Sequence, residues 1–174
     1  MKNIYNYVLN LIFPKKCINC RREGSYLCED CLSLIELNQI NYCACKANPR
    51  KNRLRCENCP AHIFHVFTIF NEKQKLSQKL FLKAKIISEL NIYFTYLIIT
   101  YINNMTNLNL NENFAIYFKD NELKNIAKSL SKFTKIPINN TSNNILFITK
   151  KYPCEDIDLK NKKIYVISLF REIS

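Results

Sequence analysis

The stretch CINCRREGSYLCEDC, residues 17–31, places Cys17, Cys20, Cys28 and Cys31 in two C-x-x-C pairs with seven residues between them. A C-x-x-C turn presents two thiolates from one tight bend, and two such turns supply the four soft ligands that zinc takes in a tetrahedron at about 2.3 Å. Gly24, the only glycine of the chain, sits in the connecting loop, where a tight reversal requires a backbone free to adopt positive φ. A second group follows: Cys43 and Cys45 as C-x-C, ten intervening residues, then Cys56 and Cys59 as C-x-x-C. Eight cysteines in this order predict a double zinc ribbon holding two zinc ions. With sulfur at all four positions, neither ion keeps a place for a catalytic water, so the metal is expected to be structural. The spacing fits sequential sites, the arrangement assumed here, and equally an interleaved one that pairs the first knuckle with the third and the second with the fourth. A thioredoxin-like redox site would need one C-x-x-C beside a βαβ unit, not four consecutive pairs.

Other chemistry-bearing residues add little to this set. His62 and His65 have H-x-x-H spacing but follow a ligand set already complete. Cys154 stands alone, and no histidine follows residue 65, so it reads as a buried or loop thiol. Between the second pair of knuckles, KANPRKNRLRC carries Lys46, Arg50, Lys51, Arg53 and Arg55. Five cations on one zinc-held loop could follow the phosphates of a single-stranded nucleic acid, with Tyr26, Tyr42 and Phe64 near enough in sequence to stack bases. A solvated loop that offsets thiolate charge explains the same residues without a partner. The chain has 26 Lys and Arg against 14 Asp and Glu, a formal net charge of +12. Eight thiolates and two Zn²⁺ would lower this to about +8. The basic balance favours a polyanionic partner.

These residues need elements to hold them. Composition shifts near Pro60: before it lie eight of the nine cysteines, after it long apolar runs. Residues 1–60 are expected to form an N-terminal amphipathic helix plus the double zinc ribbon, and residues 61–174 an α/β domain. AHIFHVFTIF (61–70) reads as a strand or strand pair. Leu76, Leu80, Ile87, Leu90, Phe94, Leu97, Ile98 and Tyr101 recur at helical spacing, in two helices or a bent one. FAIYF (114–118) is a strand, followed by a helix capped by Asp120 or Asn121, with the stripe Leu123, Ile126, Ala127, Leu130 and Phe133, closed by Pro137. ILFIT (145–149) and IYVISLF (164–170) read as strands covered on both faces. Strand, helix, strand in that order implies a parallel crossover. The lack of glycine excludes a P-loop and a dinucleotide fingerprint. The apolar run at residues 92–102 falls short of the roughly 20 residues a membrane span needs, and no export signal is visible. A cytoplasmic, reducing location follows, where such cysteine pairs hold metal.

The order LIFPKKC, CINC, LCEDC, further cysteine pairs, an aromatic stretch, LSQKLFLKAK and a closing α/β region resembles the competence protein F family, phosphoribosyltransferase-like proteins linked to DNA uptake in natural transformation. The resemblance implies a zinc ribbon ahead of a reduced, parallel-sheet type I phosphoribosyltransferase domain. It also implies two acidic residues and a Thr-Thr-Gly turn that bind the ribose and 5′-phosphate of phosphoribosyl pyrophosphate. In ILFITKKYPCEDID those acidic positions fall on Thr149 and Lys150, and the turn on Pro153, Cys154 and Glu155. The chain is thus expected to be a divergent member with a degenerate transferase site. It would act as a non-catalytic accessory that binds single-stranded DNA or docks a helicase or another uptake protein. The alternative is an active phosphoribosyltransferase whose acids have moved to Glu155, Asp156 and Asp158.

Overall fold

The computed structural model describes residues 11, 13–38, 41–42, 49–50, 63–71, 73–106, 108–110, 113–152, 159 and 161–171. The N-terminal helix expected at the start and the domain boundary expected at residue 60 lie outside them.

The described elements, in chain order, are the one-turn helix α1 (Glu29–Leu32), two short strands β1 (Asn41–Tyr42) and β2 (Pro49–Arg50), and the strand β3 (Ile63–Phe70). Helices α2 (Lys75–Ala84) and α3 (Ser88–Met105) follow, then strand β4 (Phe114–Phe118), a 3-10 turn (Asn121–Leu123) running into α4 (Lys124–Thr134), and strands β5 (Asn144–Tyr152) and β6 (Lys163–Arg171). The helical segment after β3 is therefore two helices. Ile86 and Ile87 both donate their amides to the carbonyl of Lys83, and Ile87 is extended, which ends α2 and restarts the chain as α3.

The strands form one sheet in the order β2-β1-β3-β6-β5-β4. The last four are mutually parallel, while β1 is antiparallel to both its neighbours. β4, α4 and β5 make a crossover between adjacent parallel strands. β6, last in the chain, enters between β3 and β5. Joining the distant β3 and β4 therefore takes α2 and α3 together. The sheet is covered on both faces, as apolar parallel strands require. One face packs Phe67, Ile116, Leu146, Ile148 and Ile167 against the buried sides of α2, α3 and α4. The other gathers Val66, Ala115, Ile145, Phe147, Ile164 and Val166, with Leu159 from the β5–β6 connection.

Phe70, Phe81, Phe94 and Phe170, from β3, α2, α3 and β6, meet with ring centroids 5.2–5.8 Å apart and tie both helices to the central strands. Three local expectations need correction. No side chain of Asp120 caps α4; the 3-10 turn, with Leu123 N–H donating to Asp120 O at 2.9 Å, leads into it instead. At its other end Lys135 takes a left-handed φ of 62° and its amide returns to Ser131 O at 2.8 Å, so the helix ends before Pro137 is reached. Of the expected apolar stripe, Leu123, Ile126, Ala127 and Leu130 are fully buried, but Phe133 is 39% exposed and faces Tyr96 rather than the sheet.

No helix among the described residues is long and apolar enough to cross a membrane. The apolar run at 92–102 is explained by α3, which buries Phe94, Thr95, Ile98, Tyr101 and Ile102.

Phe94→Ala should cost about 3–5 kcal/mol, because it removes a fully buried ring from the four-ring junction. Phe94→Leu, which keeps most of the volume, should cost clearly less. Urea unfolding followed by circular dichroism measures both.

Candidate metal centre

The first cysteine knuckle is built by backbone hydrogen bonds that turn the chain around its sulfurs. Lys16 and Glu23 form an antiparallel bridge, Cys17 N–H donates to Arg22 O at 2.9 Å, and Arg21 N–H returns to Cys17 O at 3.0 Å. Two residues pass through the left-handed region to close this turn, Arg21 at φ 64° and Gly24 at φ 113°. For Gly24 a side chain would meet no atom, so φ rather than space is what calls for glycine there. The second pair straddles α1. Cys28 is its N-cap, in extended conformation, and Cys31 lies within the turn, its amide donating to Cys28 O at 3.1 Å.

Together these turns bring the sulfurs of Cys17, Cys20, Cys28 and Cys31 within 4.8 Å of one another, with Cys20 and Cys28 3.5 Å apart. A tetrahedron with metal–sulfur bonds of about 2.3 Å has edges of about 3.8 Å, so the cluster fits a zinc ion. None of the four is in a disulfide. Cys17 and Cys31 are buried and Cys20 is exposed, which leaves the site rooted in protein on one side. The Nδ2 of Asn19 donates to Cys31 Sγ at 3.4 Å, a sulfur contact that the cysteine spacing alone does not announce.

The electrostatics of the four sulfurs differ. Burial pushes the Cys17 thiol up, but hydrogen bonds from the amides of Cys28, Asn19 and Cys20, together with Cys20's side chain, outweigh it and bring the pKa down to about 6. At Cys28 the amide of Cys31 favours the thiolate, whereas burial and the neighbouring sulfurs Cys20, Cys31 and Cys17 prevail and raise the pKa to about 12. Without a cation the cluster thus resists full ionisation. A divalent metal reverses that resistance, because it binds thiolates and expels their protons.

The site is anchored to the sheet and helices behind it. Cys17, Leu27, Cys31 and Ile35 belong to the same apolar cluster as Phe67, Leu80 and Phe94. Lys15 forms an ion pair with Glu89 at the start of α3 and lies 5.5 Å from the centre of the Tyr26 ring. Gln74 Nε2 donates to Leu34 O at 3.0 Å, and Asn38 N–H to Ile69 O at 2.7 Å. Leu37 bridges to Phe70 and β1 continues that antiparallel pairing, so the chain leaving the second knuckle pairs with β3 of the sheet.

Residues 8–60 match the family model of the double zinc ribbon domain. The ribbon accounts for the cysteine pattern, and with the four-sulfur cluster it makes this part of the chain a zinc-binding ribbon. Among curated proteins and solved structures, none matches the chain. Among the described residues the first knuckle and the second come together, the grouping that sequential sites assume. Cys43, Cys45, Cys56 and Cys59, and with them Lys46, Lys51, Arg53, Arg55, His62 and Cys154, lie outside the described residues. Arg50 is placed on β2, the outermost strand of the sheet. His65 is in β3, its ring stacked on Phe67 at 5.6 Å and Tyr165 at 6.0 Å.

Zinc affinity should fall on acidification, and the sign follows from the two shifted thiols. At pH 7 Cys28 holds a proton that zinc must displace while Cys17 has already lost its own; below about pH 6 Cys17 is protonated too and a further proton must leave. Competition against a chromophoric chelator between pH 5 and 8 should therefore show a steeper loss below about 6. In Cys17→Ser that steepening should disappear together with tight binding.

Proposed function

We propose that the protein is a non-catalytic zinc-ribbon accessory of the competence protein F type, acting in DNA uptake or processing in the cytoplasm. Two structural zinc ions hold the ribbon, and the basic segment Lys46, Arg50, Lys51, Arg53 and Arg55 meets single-stranded DNA. The observation that carries this reading is the closed four-sulfur site, which gives a metal a structural place and leaves no ligand position for a reacting water. Support for the basic segment comes from β2, where Arg50 stands on the outer edge of the sheet with no further strand beyond it among the described residues.

The end of β5 also favours binding over transfer. Thr149 and Lys150 stand where the resemblance asks for a pair of acids. Thr149 is buried and its hydroxyl donates to Lys151 O at 3.0 Å. Lys150 and Lys85 reach the same carboxylate, Glu122, at 3.3 and 3.0 Å. Lys85 and then Lys150 hold the Glu122 carboxyl below its usual range, so Glu122 is spent on lysines. A sugar diphosphate chelating Mg²⁺ would meet lysines there in place of the carboxylates that bind ribose hydroxyls.

Replacing Arg50, Lys51, Arg53 and Arg55 together by Ser should weaken binding of unrelated single-stranded oligomers alike. It should flatten the dependence of log K on log salt by up to about 3, given roughly 0.7 per neutralised phosphate. Unchanged affinity and slope would remove the loop from the account. Saturable binding of phosphoribosyl pyrophosphate with Mg²⁺, lost in Asp156→Asn with Asp158→Asn, would return the protein to the transferases.

A further inference from the structure

Helices α3 and α4 leave a cavity of about 360 Å³ between them, closed at one end by the turn that follows α2. Its apolar wall is formed by Ile86, Ile92 and Phe133, which are 82%, 41% and 39% exposed. Tyr96, one turn along α3 from Ile92, is half exposed with its ring 4.9 Å from that of Phe133, and extends the apolar strip beyond the cavity. Isolated exposed apolar residues are ordinary, but four in one strip around a concavity mark an interaction surface. At the cavity Asn91 is 5% exposed, accepts a hydrogen bond from Ser129 on its Oδ1, and leaves its Nδ2 without an acceptor.

The rim has one sign of charge. Lys124, Lys128 and Lys132 repeat every four residues along α4, and two of them line the cavity. Like charges at this spacing oppose the helix, and α4 contains no carboxylate to relieve them. No ion pair engages these three lysines among the described residues. Lys85, also at the rim, is occupied by Glu122. A second copy of this chain would bring the same lysines against them, and a net charge of +12 makes self-association harder still. Nucleic acid would satisfy the lysines but would leave Ile86, Ile92 and Phe133 unfilled.

We propose that the α3–α4 groove docks an acidic, amphipathic segment of a partner protein. Apolar side chains of that segment fill the cavity between Ile86, Ile92 and Phe133, and its carboxylates lie along Lys124, Lys128 and Lys132. This is helix-in-groove recognition with electrostatic selection of the partner. It stands on a different part of the chain from the ribbon loop and does not depend on nucleic-acid binding there.

The test is selection of a displayed library of random 16-residue peptides on the full-length, zinc-loaded protein, with affinities of enriched peptides then measured by fluorescence anisotropy. Enriched sequences should combine Asp or Glu with Leu, Ile or Phe at helical spacing. Their affinity should drop at least tenfold on Lys128→Glu with Lys132→Glu and at least fivefold on Ile86→Asp, and should be unchanged by the Ser replacements in the ribbon loop. Both groove variants alter exposed side chains, and bound zinc together with circular dichroism verifies that each is folded. The proposal is overturned if nothing is enriched, if enriched peptides lack acidic residues, or if they bind the groove variants as well as the parent. It is equally overturned if an oligothymidylate displaces the peptides and depends on the same lysines but not on Ile86. A dimer in sedimentation that Ile86→Asp dissolves would assign the groove to a second copy and overturn it too.

Discussion

Four sulfur atoms within 4.8 Å of one another repel as thiolates unless a cation sits among them, and the two turns that carry them depend on that constraint. The two ends of the cluster show it. Backbone amides draw Cys17 toward the thiolate, while the neighbouring sulfurs hold Cys28 to its proton. A metal ion removes the conflict by binding the four sulfurs as thiolates.

The constraint reaches further because the ribbon does not hang free. Cys17 and Cys31 are buried in the cluster that also contains the inner faces of α2 and α3. Residues following the second knuckle run antiparallel to β3 and supply the outer strands of the sheet. The backbone position of Arg50 is set by the same route, since it lies on the edge strand that this chain segment builds. Meanwhile the parallel strands need no metal. Apolar on both faces, they are covered by helices on one side and share a second cluster with Leu159 on the other.

The sequence made the clustering of Cys17, Cys20, Cys28 and Cys31 and most of the described elements legible because both are local signals. C-x-x-C spacing identifies a knuckle without any knowledge of the fold, and Gly24 in the intervening loop does take the positive φ that its position suggested. Runs such as FAIYF and IYVISLF are strands because apolar β-branched and aromatic residues fit a covered sheet. Strand order was not legible. That β6 enters between β3 and β5 depends on pairing across a hundred residues, which no local period encodes. Nor could Phe133 be told from the buried members of its stripe, since its spacing is theirs and only the position of the sheet decides that it overhangs. Lys15 and Glu89 are 74 residues apart, so their ion pair emerges only from the fold.

The most direct test of the account is X-ray absorption at the zinc edge on the protein as isolated, without added metal. Four sulfur neighbours per zinc at about 2.3 Å, with no nitrogen or oxygen in the first coordination sphere, is the result the account predicts. A sphere with nitrogen or oxygen would give the metal an open or exchangeable position. That result would contradict the closed, structural site on which the non-catalytic reading rests.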